Sequence, residues 1–266
     1  MDYALNKLWG TVLVAAVMVC LLNAVPAGAQ VTSNILLRVF MIDVGRDQGT
    51  AFTVEHGGQQ YLVTAKHIMA ALPERTGTIH LFQNRRWRDL AVKVIQVANP
   101  TVDIAVLKIP HPLSPEYPIR ATMKGTMLGG KVYFFGYPYG LTTIVNSDGY
   151  PLPLVKHGIV SGFGGNGGIL YVDGFNNPGF SGGPIVTYEH FPGVPTVVAV
   201  IHGYLGTHEQ AQLGHNITPL TVAINTGILV GYSIDYAIDA IEESERKVSA
   251  GSAPERTLTA PDTASR

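Results

Sequence analysis

The sequence predicts an all-β chain, a sandwich or barrels built from many short strands, followed by one helix near the C-terminus. Segments such as NILLRVFMIDV, GTAFTVEH, QQYLVTA, RDLAVKVIQVA, DIAVLKI, KVYFFGY, TVVAVIHGY and GILVGYSI are short and rich in β-branched residues, and Gly, Pro, Asn or Asp separates most of them. Close turn spacing of this kind suits sandwiches and barrels, and no alternation of strands with helices is visible. A helical period emerges only late. Ser233 or Asp235 serves as its cap, Ile234, Ile238 and Ile241 share one face, and Glu242, Glu243 and Glu245 point outward.

Composition narrows the function classes. With 46% hydrophobic and 14% charged residues among 266, the chain has enough apolar material to bury a core of one or two domains. The formal net charge is −1 and there is no long run of one sign, so no nucleic-acid partner is expected. Near the N-terminus, NKLWGTVLVAAVMVCLLNAVPAGAQ places a lysine before an apolar run that ends in Ala27-Gly28-Ala29. Residues 1–29 therefore read as a signal peptide, with the mature chain starting at Gln30 and exported to a periplasm or the medium. The run also approaches the ~20 residues that span a bilayer, so an anchor formed by residues 8–25 is the alternative. Membrane contact is expected only if that segment stays uncleaved. Cys20, the single cysteine, lies inside the run, which leaves the exported part without disulfides. The end, VSAGSAPERTLTAPDTASR, lacks aromatics and periodicity and reads as a disordered tail over 247–266. The glycine-rich GFGGNGG near Phe163 lacks the strand-then-helix context of a phosphate loop and reads as a hairpin turn.

The chemistry concentrates in NNPGFSGGPIV, where Ser181 is bracketed by glycines. Such a stretch is also ordinary turn material. GFSGG fits the nucleophile elbow of α/β-hydrolases as well, but that elbow needs a helix directly after the serine and its acid and histidine further on. Here Gly182, Gly183 and Pro184 lead into β-rich runs instead. Partners for the serine lie upstream. His67 follows an apolar strand in VTAKH, and Asp103 heads DIAVLKI. Together these residues supply a nucleophile, a base with pKa near neutrality, and an acid to hold the base in one tautomer.

These motifs resemble the chymotrypsin-like (trypsin-type) serine peptidases. GTAFTV, VTAKH, DIAVLKI and NPGFSGGPIV follow the order of that family's first-barrel strand and its histidine, aspartate and serine motifs. The resemblance covers roughly residues 30–245. NPGFSGGP, HGIVSGF and GYSIDYAIDAIEE look closest to the cysteine-free bacterial branch that includes the high-temperature-requirement (Deg) proteases, although too few residues follow the helix for the C-terminal peptide-binding (PDZ) domain those carry. The resemblance implies two antiparallel six-stranded β-barrels, about 31–122 and 123–230, with a helix at about 233–246 and the site in the cleft between the barrels. It implies a serine endopeptidase working through an acyl-enzyme, with polypeptide substrates and no cofactor. His67 would be the general base and then acid, Asp103 its orienter and Ser181 the nucleophile. The backbone N–H groups of Gly179 and Ser181 would form the oxyanion hole.

One departure stands out. Phe180 occupies the place where activatable members have an Asp that pairs with a freshly cut N-terminus, and Phe cannot make that pair. Activation by N-terminal insertion is therefore not expected. The alternative is a binding or scaffolding protein on the same fold that has lost catalysis. For specificity, the pocket would lie between DGFNNPGF and VVAVIHGYLG, with Phe175, His202 and Gly203 as its residues. Asp173 stands eight residues before Ser181, whereas the six-residue position of the trypsin-like acid is Phe175, which disfavours a preference for Lys or Arg. His202 resembles the histidine with which glutamyl endopeptidases meet an acidic side chain, the competing reading being a histidine that merely packs at a strand end. His202, His208 and His215, spaced by six and seven residues, fit no common metal-ligand motif, so HGYLGTHEQAQLGH reads as a polar loop and no metal is expected.

Overall fold

A computed structural model describes residues 31–72, 76–115, 117, 119–144, 151–190, 194–214 and 216–251. The expected signal segment, residues 1–29, lies outside them. A short helix, Ser33–Leu36, precedes six strands that close on themselves. These are β1 (Val39–Val44), β2 (Asp47–His56), β3 (Gln59–Thr64), β4 (Thr76–Gln83), β5 (Arg86–Ile95) and β6 (Ala105–Lys108). They form an antiparallel barrel in the order β1-β2-β3-β6-β5-β4. Alternate side chains face inward, as the pleat requires: Phe40, Ile42 and Val44 from β1, Ile79 and Leu81 from β4, Leu90 and Val92 from β5.

The second half contains β7 (Arg120–Ala121), β8 (Lys131–Gly136), the short pair β9 (Thr143–Ile144) and β10 (Pro151–Leu152), then β11 (Leu154–Gly164), β12 (Ile169–Asp173), β13 (Pro184–Thr187), β14 (Thr196–Leu213) and β15 (Asn216–Ser233). Its main sheet runs β13-β8-β11-β12-β15-β14-β7, and a further β13–β14 pairing joins the ends of the first six into a ring. β7 remains as a parallel edge on Thr196 and Val197. Phe134, Val160, Leu170, Val172, Ile185 and Leu229 fill this half. β11 and β12 pair across GFGGNGG, which makes the hairpin turn through a 3-10 turn at Gly165–Gly167.

Between the halves, the chain is held by a buried cation. Arg38 is fully buried, pairs through Nη1 with Glu55 Oε1 at 2.5 Å, donates Nε–H to Asn34 Oδ1 at 2.8 Å, and gives Nη2 to the carbonyls of Pro115, at 3.1 Å, and Tyr117. A buried guanidinium with its donors satisfied can hold a linker in one path, because leaving it would strand the charge.

Three expectations need correction. The stretch expected as a polar loop is strand: β14 and β15 run on beyond the barrel as a two-stranded ribbon, pairing Gly206 with Asn225, Thr207 with Ile224 and Glu209 with Val222. The ribbon is largely exposed on both faces, and its outgoing arm, GTHEQAQ, carries no hydrophobic alternation to announce it, whereas the return arm alternates at Leu220, Val222 and Ile224. Its return arm supplies the β-branched residues Thr221, Val222 and Ile224. The helix, Asp235–Gly251, continues past its expected end at 246 into the stretch expected as tail, of which the rest lies outside the described residues. Ser233 caps it, accepting Asp235 N–H at 3.2 Å. Its buried side is Ile234, Ala237, Ala240 and Ile241. Glu245, expected to face outward, instead accepts Tyr61 O–H at 2.8 Å and meets His56 Nδ1 at 3.1 Å, so the helix docks on the first barrel. Burial, together with the Glu245 carboxylate, pushes the Tyr61 pKa up to about 12.

Candidate active site

The register of β3 and β6 brings the first two site residues together. Thr64 pairs with Ala105, so the residues just beyond the end of β3 lie beside those just ahead of β6. His67 sits in a 3-10 turn, Lys66–Ala71, and Asp103 stands before β6. Lys66 N–H reaches Asp103 O at 3.3 Å, and His67 N–H reaches Asp103 Oδ1 at 2.8 Å. The same carboxylate meets His67 Nδ1 through Oδ2 at 2.6 Å. An ionised carboxylate can only accept, so Nδ1 carries the proton and Nε2 is left with its lone pair.

A second imidazole shares that oxygen. His202 Nδ1 lies 2.5 Å from Asp103 Oδ2, and the His202 ring stands edge-on between His67, 5.8 Å away between centroids, and Tyr232 at 5.6 Å. Burial alone would raise the Asp103 pKa, but the hydrogen bonds from His202 and His67 outweigh it and hold the group well below the carboxylate range. The hydrogen bond to Asp103 raises the His67 pKa above 6.5, against desolvation and with further help from the Asp103 and Asp47 charges. The carboxylate is 13% exposed while the two rings are 47% and 45% exposed, so a sheltered anion orients two bases that remain open to solvent.

These three residues also place their ligand atoms within 4.8 Å of one another, the kind of set that binds a metal. Bonds of ~2.0 Å to a tetrahedral zinc would hold neighbouring ligand atoms roughly 3.3 Å apart. The separations of 2.6 and 2.5 Å from Oδ2 are shorter and correspond to donors on an acceptor. His208 lies six residues along the same strand from His202, roughly 20 Å at strand rise, and His215 lies outside the described residues.

Ser181 lies between β12 and β13, half-buried, on a loop that both halves grip. From the first barrel, Thr50 N–H donates to Ser181 O at 2.9 Å and Thr50 Oγ to Gly179 O at 2.7 Å. On the other side, Gly182 N–H donates to Ile201 O at 2.8 Å and Ile201 N–H to Gly183 O at 2.9 Å. A left-handed backbone calls for glycine at two places here, and at Gly183 a Cβ would strike the Phe135 carbonyl. Gly179 has φ +102° and Gly182 φ +81°, and a Cβ on either would strike backbone, at Tyr137 and at Thr50 respectively. The Ser181 hydroxyl donates to His202 O at 3.1 Å. Phe180 N–H is taken by Asn177 O at 3.2 Å, whereas among the described residues no acceptor takes the N–H of Gly179 or Ser181.

Phe180 is fully buried and packs edge-on against Phe134, with centroids 5.4 Å apart. Lys156, from β11, brings its ammonium to 5.4 Å from the Phe180 ring centroid and 5.7 Å from that of Phe175. It donates to Phe175 O and to Asn177 Oδ1, both at 2.6 Å. Desolvation lowers its pKa. Phe175 itself is 55% exposed, and Gly203 lies in β14 opposite Val230. Sequence reasoning missed Thr50 and Lys156, whose partners lie far along the chain. Thr50 did fall inside the GTAFTV motif, but nothing in the sequence marks its hydroxyl as a clamp.

A family model for the trypsin-like peptidase domain matches residues 49–191, just over half of the chain. The span holds His67, Asp103 and Ser181 and ends before His202. A comparison with curated proteins gave no match.

Proposed function

The chain belongs to the trypsin-like peptidase domain family, and from that premise we propose that it is a serine endopeptidase in which His67, Asp103 and Ser181 act together through an acyl-enzyme. The observation that carries the reading is the Asp103 carboxylate on His67 Nδ1–H at 2.6 Å, which leaves Nε2 as the base. In the resting protein the serine hydroxyl is parked on His202 O, and catalytic hydrogen bonds are often loose until substrate arrives. Reaction begins when that hydroxyl turns to His67 Nε2. Ser181 Oγ bonds to the scissile carbonyl carbon while its proton passes to Nε2, and Asp103 stabilises the imidazolium. The tetrahedral oxyanion is met by the N–H groups of Gly179 and Ser181. The C–N bond then breaks as His67 gives its proton to the leaving amine. Water attacks the acyl-enzyme, loses a proton to His67 and releases the carboxylate, and the proton returns to Ser181 Oγ. A fluorophosphonate should label this centre in the folded protein, with the mass increment mapping to NNPGFSGGPIV. Labelling elsewhere, or none, favours the catalytically silent reading.

Lys156 supplies what Phe180 cannot. A family Asp at that position would be held by a cut N-terminus, whereas here an ammonium from β11 fastens the same loop through Phe175 O, Asn177 Oδ1 and two aromatic faces. The loop then needs no processing step to be ordered. Two charge-assisted hydrogen bonds and partly exposed cation–π contacts are lost together in Lys156→Met, which should lower kcat/KM by roughly tenfold to a hundredfold. Lys156→Arg should recover part of the loss. Equal kinetics for the methionine variant and the parent would remove Lys156 from this role.

A further inference from the structure

We propose that His202 is a positioning residue for the catalytic pair, its Nδ1–H holding the Asp103 carboxylate in place opposite His67, an inference that rests on the serine-peptidase reading of the site. Backbone and side chain both point to it. The β14–β15 register slips between Ile201 and Gly203, so His202 occupies a β-bulge, a device that re-aims one side chain out of the strand's alternation. The bulge is pinned next to the serine turn by the paired Gly182 and Ile201. From there the ring reaches Asp103 Oδ2 at 2.5 Å while the carbonyl of the same residue takes the Ser181 hydroxyl at 3.1 Å. His202 thus touches the acid with one end and the nucleophile with the other. Tyr232 packs edge-on against the other side of the ring.

The arrangement has an electrostatic consequence. Asp103 Oδ2 accepts two N–H donors and Oδ1 a third, from the His67 backbone. Its charge is therefore shared rather than directed at His67 alone. The other groups around the pair are Asp47, whose charge favours the His67 cation, Tyr232 beside His202, and Lys66, whose ammonium is turned to Pro100 O at 2.9 Å. Removing the His202 donor leaves more of the Asp103 charge for the His67 cation. The His67 pKa then rises, and activity, which requires the neutral base, fails at a higher pH on the acid side. At the same time the carboxylate loses one of its restraints, which slows the reaction at every pH.

The test measures how fast a fluorophosphonate reacts with Ser181 across about pH 5 to 9, a range that brackets histidine titration. In that reaction Ser181 Oγ bonds to phosphorus, fluoride leaves, and the hydroxyl proton passes to His67. His202→Ala should react about tenfold more slowly on the plateau, the scale of losing an outer partner that orients a functional group, with its acid-side midpoint moved upward. His202→Asn, whose amide N–H can stand where Nδ1–H stood, should restore most of the rate and bring the midpoint back. Thermal melting of both variants separates these effects from loss of fold, and the asparagine variant decides the matter should the alanine variant not fold. An alanine variant with the parent's rate and midpoint overturns the proposal, as does a folded asparagine variant as slow as the alanine one. Unchanged labelling with selective loss of cleavage after Glu would make His202 a specificity residue instead. Loss of labelling in the parent protein on adding a chelator would make the three residues a metal centre. A folded parent that never labels defeats the serine-peptidase reading itself and this inference with it, an outcome distinct from all the others.

Discussion

Replacing Ser181 by alanine is expected to reduce peptide hydrolysis by about six orders of magnitude, to the level the remaining binding and oxyanion groups sustain. The size follows from the proposal that the three groups work as a unit. Without Oγ there is no acyl-enzyme, and His67 and Asp103 have no hydroxyl proton to move. The fold should survive the change. Among the described residues Ser181 Oγ makes one hydrogen bond, to His202 O, while the loop is held through backbone atoms by Thr50 and Ile201. A steady-state assay with a sensitive fluorogenic peptide checks the loss, and an unchanged melting temperature shows that only chemistry was removed.

Asp103→Asn is expected to lower kcat by about four orders of magnitude at neutral pH. An asparagine presents an N–H2 group or a weak acceptor where the carboxylate accepted both His67 Nδ1–H and His202 Nδ1–H. The His67 tautomer is then no longer fixed. With the amide N–H2 toward Nδ1, the ring carries its proton on Nε2 and cannot take one from Ser181. The change also removes the anion that raises the His67 pKa, so what activity remains should persist to lower pH than in the parent. Asp103 owes its role as a permanent anion to those hydrogen bonds. Its pKa in the fold is lowered, so the stability they supply is present above the ordinary carboxylate pKa and is lost only as pH falls well below it. A pH profile of kcat for the variant, beside that of the parent, reads both effects.

The parts of the site that were legible in the sequence are those where chemistry dictates residue type and neighbours together. Gly179 and Gly182 are glycine because their backbone is left-handed and a Cβ would collide, and this appears in the letters as a serine among glycines. His67 and Asp103 could be paired because each sits at the edge of an evident strand, and β3 and β6 bring those edges together. Other features depend on contacts that sequence neighbours do not encode. Glu245 has the helical position of an outward residue, yet Tyr61 and His56 from the first barrel claim it. Lys156 lies in a strand with nothing local to mark it, and its partners come from the serine loop. The long ribbon of β14 and β15 was hidden by the polar composition of its outgoing arm, GTHEQAQ, although its return arm alternates at Leu220, Val222 and Ile224. His202 was legible as a histidine near the site, but a slip of register between Ile201 and Gly203 decides where its ring points, and nothing in TVVAVIHGY announces a bulge.

The most direct measurement is a digest of a diverse peptide library by the parent chain and by the Ser181→Ala variant, with every new terminus identified by mass spectrometry. The account predicts that the parent generates new amino and carboxyl termini by internal cleavage and that the variant generates none above background over the same period. New termini appearing at equal rates with both proteins, or with neither although both are folded, would contradict it.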